Sequence, residues 1–386
     1  MKSEVIELQT NLLPLELSLT KVKESMFPPC YDGATYSDRY INLKRTLSPV
    51  HKNIEKGALV QSFQEWICKK YKEIQDINDA EDQRRIIEEL ENADPLIYLN
   101  NHGIGHVEKV IIKANEVISC MKKEDTLNPY EIFILICAIQ IHDIGNYYGR
   151  NEHEKNLGKL FEKYANNIIP DAVERRVIER IAMAHGGVFD GNTDTLGLLS
   201  LETGLFGIKI RERLLASILR FSDELADDNS RADKIGLKEN SIPLYSIIFH
   251  RYSEALDSVY IKKDSETKRQ NVCLKYFFDS DIAKTIYYRN EKPKFLLDEI
   301  YDRTLKMERE RRYCMQYARP CLSIDGIRIK IIIAHPKYSF KQDTIEYSLE
   351  ENGYPTYPLN GSIKSIVSHL PSGEEENNHL SKEWSL

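Results

Sequence analysis

The sequence predicts a mainly α protein with a helical N-terminal extension, a helical core and a C-terminal α+β domain. Three observations carry this. Apolar residues recur at helical spacing almost without a break from about Asn100 to Asp233, two segments of that stretch open with side-chain caps, and beyond about Ile235 the pattern changes to strand-like alternation. The divisions expected are 1–95 for an arm and helical extension, 96–235 for the core, 236–370 for the α+β domain and 371–386 for a flexible tail.

Length and composition agree with this plan. A prior of about 150 residues per domain gives two or three domains. Hydrophobic residues make up 41% and charged residues 29%, the balance of a globular protein. No apolar run approaches the roughly 20 residues that cross a bilayer. The first residues mix acids and bases among apolar side chains and lack a secretory pattern, so a cytoplasmic location is expected. Seven cysteines without a C-x-x-C pair argue against a disulfide framework or zinc ribbon. A net charge of -7 offers no footprint for duplex nucleic acid, which is not expected as a partner. A small phosphorylated ligand is easier to accommodate.

At the N-terminus, the first ~25 residues and the stretch from Phe27 to Asp38 read as an irregular arm, followed by helices at 60–74 and 81–93. This region looks like an embellishment with no part in a site. In the core, Val110, Ala114, Val117 and Met121 follow His106 at helical spacing, which puts that histidine at the edge of an apolar stripe. Asn128, Pro129 and Glu131 form a capping-box start, and Ile132 to Ile141 is apolar except for Gln140. The cap and the length predict a helix buried on nearly all sides, delivering His142 and Asp143 to the interior.

A buried carboxylate costs several kcal/mol in desolvation unless it is paired or meets a cation, so a metal accounts well for Asp143. A turn cap for Asp143 and a backbone bond for His142 would also account for the dipeptide taken alone. A further helix is capped by Asp171, with Glu174 three residues on, and closes at Gly186-Gly187, with His185 projecting from its buried stripe. Asp223 follows Leu219 by four residues and Leu215 by eight, again beside an apolar face, with Asp227 and Asp228 beyond it. Past Ile235, segments 258–263, 271–278, 285–290 and 326–335 read as strands around a long helix at 296–317.

Histidines and carboxylates thus come from the inner edges of separate helices, and this donor set suits manganese, iron, zinc or magnesium. The order H…HD…H…D resembles the HD superfamily of metal-dependent phosphohydrolases from about His106 to Arg231. The resemblance implies an HD-type helical core in which His106, His142, Asp143 and Asp223 bind one or two divalent ions. It implies that His153 and His185 hold a second metal or bind or protonate the substrate phosphate. Asp143 is the candidate to orient the attacking water. Arg220 and Arg231 flank the last ligand and are candidates for substrate phosphate, whereas Arg211 and Arg213 are expected to serve in surface ion pairs.

Departures narrow the subfamily. Asn146 stands where the cyclic-di-GMP phosphodiesterase branch has a lysine, and the sequence after His185 lacks its GYP signature. The acidic continuation of alarmone hydrolases and the Pro-rich one of bacterial dGTPases are also missing. What the resemblance then implies is a nucleotide phosphohydrolase, foremost a (deoxy)nucleoside triphosphate hydrolase, with a phosphodiesterase of cyclic nucleotides or short oligonucleotides and a non-catalytic nucleotide sensor as alternatives. The run RFSDELADD and the α+β region after it resemble uncharacterised bacterial HD proteins, some of them from phage-defence systems. That points to an antiviral role, with the C-terminal domain serving a homo-oligomer or a partner protein.

Overall fold

The computed structural model describes residues 13–20, 34–55, 104–148, 153–188, 191–239, 242, 244–289, 292–335 and 342–350. It is helix-rich with a small mixed sheet region in its C-terminal part. The helices expected at 60–74 and 81–93 and the tail at 371–386 lie outside these residues.

The centre of the molecule is helix α4 (Pro129–Ile141), and its sequence explains why. Asn128 Oδ1 accepts from the Glu131 amide at 2.9 Å, and a Glu131 carboxylate oxygen accepts from the Asn128 amide at 3.0 Å. Pro129 at the first helical position has no amide to leave unsatisfied. Tyr130, Glu131 and all of Phe133 through Ile141 are buried, and each large apolar side chain so removed from water contributes roughly 1.5–3 kcal/mol. A helix apolar on every face must be enclosed. Around it pack α1 (Pro14–Thr20), α2 (Tyr36–Glu55), α3 (Ile104–Ser119), α6 (Ala172–Met183) and α7 (Glu212–Leu225). A 3-10 turn, Ile144–Tyr148, leads from α4 towards α5 (His153–Ala165), and the two pack together.

The N-terminal part corrects two expectations. Residues Pro14–Thr20 and Tyr36–Asp38, read as irregular, are helical. Leu15 and Leu19 plug the core, and Asp38 caps its helix by accepting from the Thr35 amide at 3.0 Å. The core is also interrupted by a hairpin of β1 (Thr203–Leu205) and β2 (Ile208–Ile210) immediately before α7.

Beyond 235 come first two helices, α8 (Lys234–Glu239) and α9 (Leu244–Ala255), where a β-rich texture was expected to begin. A four-stranded sheet follows in the order β3 (Leu256–Lys263), β4 (Gln270–Asp279), β7 (Gly326–Ala334), β8 (Gln342–Glu350). β3 and β8 pair antiparallel to their neighbours, whereas β4 and β7 are parallel. That parallel pair requires a crossover. It runs through the short helix α10 (Ser280–Lys284), the ribbon of β5 (Tyr287–Arg289) and β6 (Lys292–Lys294), and the long helix α11 (Leu296–Ala318). Val272, Leu274, Tyr276 and Phe278 of β4 and Ile327, Ile329, Ile331 and Ile333 of β7 turn one face inward. Helix α11 lies against that sheet and also packs along α7, so a single apolar cluster runs from the helical core into the sheet.

Candidate metal centre

Three elements bring four residues together at one end of α4. His106 stands in the first turn of α3, whose buried stripe of Val107, Val110, Ile111, Ala114 and Val117 fixes its rotation. His142 and Asp143 leave the C-terminal end of α4, and Asp223 occupies the last turn of α7. His106, His142 and Asp143 are all buried, with ligand atoms within 4.8 Å of one another. Asp223 closes the group on the solvent side, its side chain 29% exposed. His106 Nε2 lies 3.0 Å from Asp223 Oδ1 and 3.7 Å from Asp143 Oδ2. His142 Nε2 lies 3.4 Å from Asp143 Oδ2 and 3.6 Å from Asp223 Oδ1.

The hydrogen bonds decide what this arrangement asks for. His142 Nδ1 sits 2.8 Å from the Ile139 carbonyl, which only accepts, so Nδ1 carries the proton. The other nitrogen, Nε2, is buried without a hydrogen bond and faces two carboxylates. A lone pair there would oppose their negative charge unless a cation stands between. Without a metal, a proton on the ring would take that place. Burial works to lower the His142 pKa, but Asp143 and Asp223 outweigh it and hold the ring well above its ordinary value. Burial likewise works to raise the Asp223 carboxyl, yet the contacts with His106 and His142 keep it well below the usual carboxylate range. Two imidazoles and two carboxylates with an orphaned buried nitrogen fit a divalent ion. The backbone bond that would by itself explain His142 is present, and it is the bond that frees the opposite nitrogen for a metal.

His185 joins from the end of α6. Its Nδ1 meets the Ala182 carbonyl at 2.5 Å, so Nε2 again points away from the backbone and lies 3.6 Å from Asp143 Oδ1. The two Asp143 oxygens therefore serve different neighbours: Oδ2 faces His106 and His142, and Oδ1 faces His185. Asn146 Nδ2 donates to Oδ1 at 3.1 Å and steadies the carboxylate.

His153 begins α5, and its side chain lies outside the described residues. Arg231 stands 3.6 Å from Asp227, and Lys109 reaches Asp228 at 2.5 Å. Arg220 grips Glu310 of α11 through two nitrogens, at 2.7 and 2.9 Å. Arg211 pairs with Glu131 at 2.6 Å, and Arg213 donates to the carbonyls of Leu199 and Gly197 at 2.7 and 3.1 Å.

One histidine of the neighbourhood escaped the sequence reading. His51, on α2, is buried, and burial first, then the charge of His142, lowers its pKa to about 4. An isolated histidine in PVHKN carries no spacing signal, and only the packing of α2 on α4 and the following turn brings it here.

A helix-borne His-His-Asp cluster of this kind fits an HD-type domain. The HD-CE family model matches residues 88–286, more than half of the sequence, and the chain belongs to the HD-CE family. Comparison with curated proteins and with solved structures finds no match. The family match and the cluster together suggest a metal-dependent hydrolase of HD type. No helix among the described residues is long and apolar enough to cross a membrane.

Proposed function

We propose that the chain is a metal-dependent phosphohydrolase acting on nucleotides, foremost a (deoxy)nucleoside triphosphate hydrolase. The observation that carries this reading is the buried His142 Nε2, facing Asp143 and Asp223 with its other nitrogen committed to the backbone. His106, His142, Asp143 and Asp223 would hold the ion, manganese being the first candidate. When bound, such an ion neutralises phosphate charge and lowers the pKa of a water.

The protein's own groups do the remaining work. Asp143, braced by Asn146, orients the attacking water. His185 keeps its Nε2 directed at the centre, where it can hold a proton for the leaving oxygen. His153 is assigned to the same phosphate. Arg231, eight residues beyond Asp223 and beside Asp227, is the arginine proposed for the distal phosphates. Depletion of nucleotides during phage infection is the biological role this reading would serve.

A second reading has an observation of its own. Because the two Asp143 oxygens face different histidines, Asp143 and His185 would help hold a second ion if one binds, and a pair of ions would supply the charge neutralisation that suits phosphodiesters.

The test is product release from nucleoside triphosphates, cyclic nucleotides and a bis-aryl phosphodiester with manganese, comparing the native chain with the double variant His142→Ala/Asp143→Ala. Release of phosphate or tripolyphosphate that vanishes in the variant supports the first reading. Turnover of diesters alone supports the second. Saturable nucleotide binding without turnover under any metal would replace both with a sensor.

A further inference from the structure

Arg220 is expected from the sequence to meet substrate phosphate, yet its guanidinium is spoken for on every side. Nε and Nη2 form a fork on Glu310, at 2.7 and 2.9 Å, in a pair whose side chains are only 11% and 20% exposed. Nη1 donates to the Gly186 carbonyl at 2.7 Å and to the Ala184 carbonyl at 3.4 Å, the two carbonyls on either side of His185. It also donates to Thr195 Oγ1 at 3.0 Å, and that hydroxyl donates onward to the Ala184 carbonyl at 2.8 Å. The guanidinium lies 4.8 Å above the ring of Tyr313.

Helix α11 supplies the rest of the grip from one face, at Glu310, Tyr313 and Tyr317. Tyr313 Oη accepts from the Leu196 amide and donates to Asp194, both at 2.9 Å. Tyr317 Oη donates to the same carboxylate at 2.6 Å. The turn that presents His185 is therefore clamped between α7, which carries Asp223, and α11, which belongs to the C-terminal region.

We propose that Arg220, Glu310 and Tyr313 are positioning residues for His185: they fix the two carbonyls and the loop around it, and so set where its Nε2 stands opposite Asp143. The consequence for turnover rests on the role given to His185 above, whereas the positioning itself does not. A helix outside the metal-binding core then takes part in the site, acting on the proton-handling histidine and leaving the ion alone.

Two measurements on Glu310→Gln and Tyr313→Phe test this. Tyr313→Phe keeps the ring over Arg220 and deletes only a hydroxyl, so it serves if the other variant fails to fold. In protein labelled at its histidine rings, with the His185 signal assigned through His185→Asn, both variants should shift or broaden that signal while the His142 signal stays in place. An unmoved His185 signal in both overturns the proposal. In turnover, each variant should lower kcat about tenfold, in the range seen when supporting hydrogen bonds are removed, with KM and manganese affinity unchanged. Adding either substitution to His185→Ala should cost nothing more; an equal further loss on that background also overturns it. A shifted ring signal in a chain with no turnover on any probe would leave the positioning standing and sink the hydrolase reading.

Discussion

The two histidines that flank Asp143 are seated by different means. His142 is placed by α4 itself: a capped, mostly apolar helix ends where the ligand begins, and the carbonyl that orients its ring lies three residues back on the same helix. His185 has the same local bond, to Ala182, but the loop beyond it is held by side chains of α7 and α11, Arg220 and Glu310 standing 90 positions apart in the sequence. One seat is built from nearest neighbours and the other from the assembled fold. Damage to the first should abolish metal binding, and damage to the second should spare the ion and slow the chemistry.

The largest effect expected is that of His142→Ala. It should abolish stoichiometric metal, measured by elemental analysis after gel filtration, together with all turnover; a fully loaded variant would break the distinction between the two seats. His185→Ala should keep its metal and lose about 10²–10⁴-fold in kcat, the span of a lost general acid. A loss of metal in that variant would instead mark His185 as a ligand. Asn146→Ala removes the bond that steadies Asp143 and should weaken metal binding roughly 10–100-fold by calorimetry, as for other supporting groups around metal ligands.

The pH dependence sharpens the point further. Asp143 and Asp223 hold His142 protonated to a higher pH than usual, so an incoming ion must expel that proton. Calorimetry in buffers of different ionisation enthalpy should report release of about one proton per ion near pH 7, with affinity falling as pH falls. An affinity independent of pH from 6 to 8, values that span the ordinary histidine range, would show that His142 is not a ligand. The smallest change is Asn128→Ala, which should cost about 1 kcal/mol in denaturant unfolding and leave metal affinity intact.

What the sequence disclosed and what it hid divide along the same line. The start of α4 was legible residue by residue, because a capping box and an apolar run are local signals. The strands β4 and β7 were legible for the same reason, with alternation along 10 and 9 residues. Helix α9 was not, since Ile247, Ile248, Phe249 and Tyr252 are residues that favour strands, and only packing decides for a helix. The hairpin before α7 has strands of three residues each, too short to establish alternation. Arg220 was read as a phosphate ligand because its partner Glu310 leaves no trace near it in the chain. His51 was missed because its burial depends on α2 lying against the core.

The parallel pairing of β4 with β7 also governs when the site can be finished. The ion's four candidate ligands are all present once the chain has been made to Asp223, but β4 has no parallel neighbour until the residues through Ala334 have followed. Helix α11 lies inside that crossover, so the grip on the His185 turn is among the last contacts available to a chain folding as it is synthesised. A nascent or truncated chain that lacks α11 would then carry all four candidate metal ligands without the grip on the turn that presents His185.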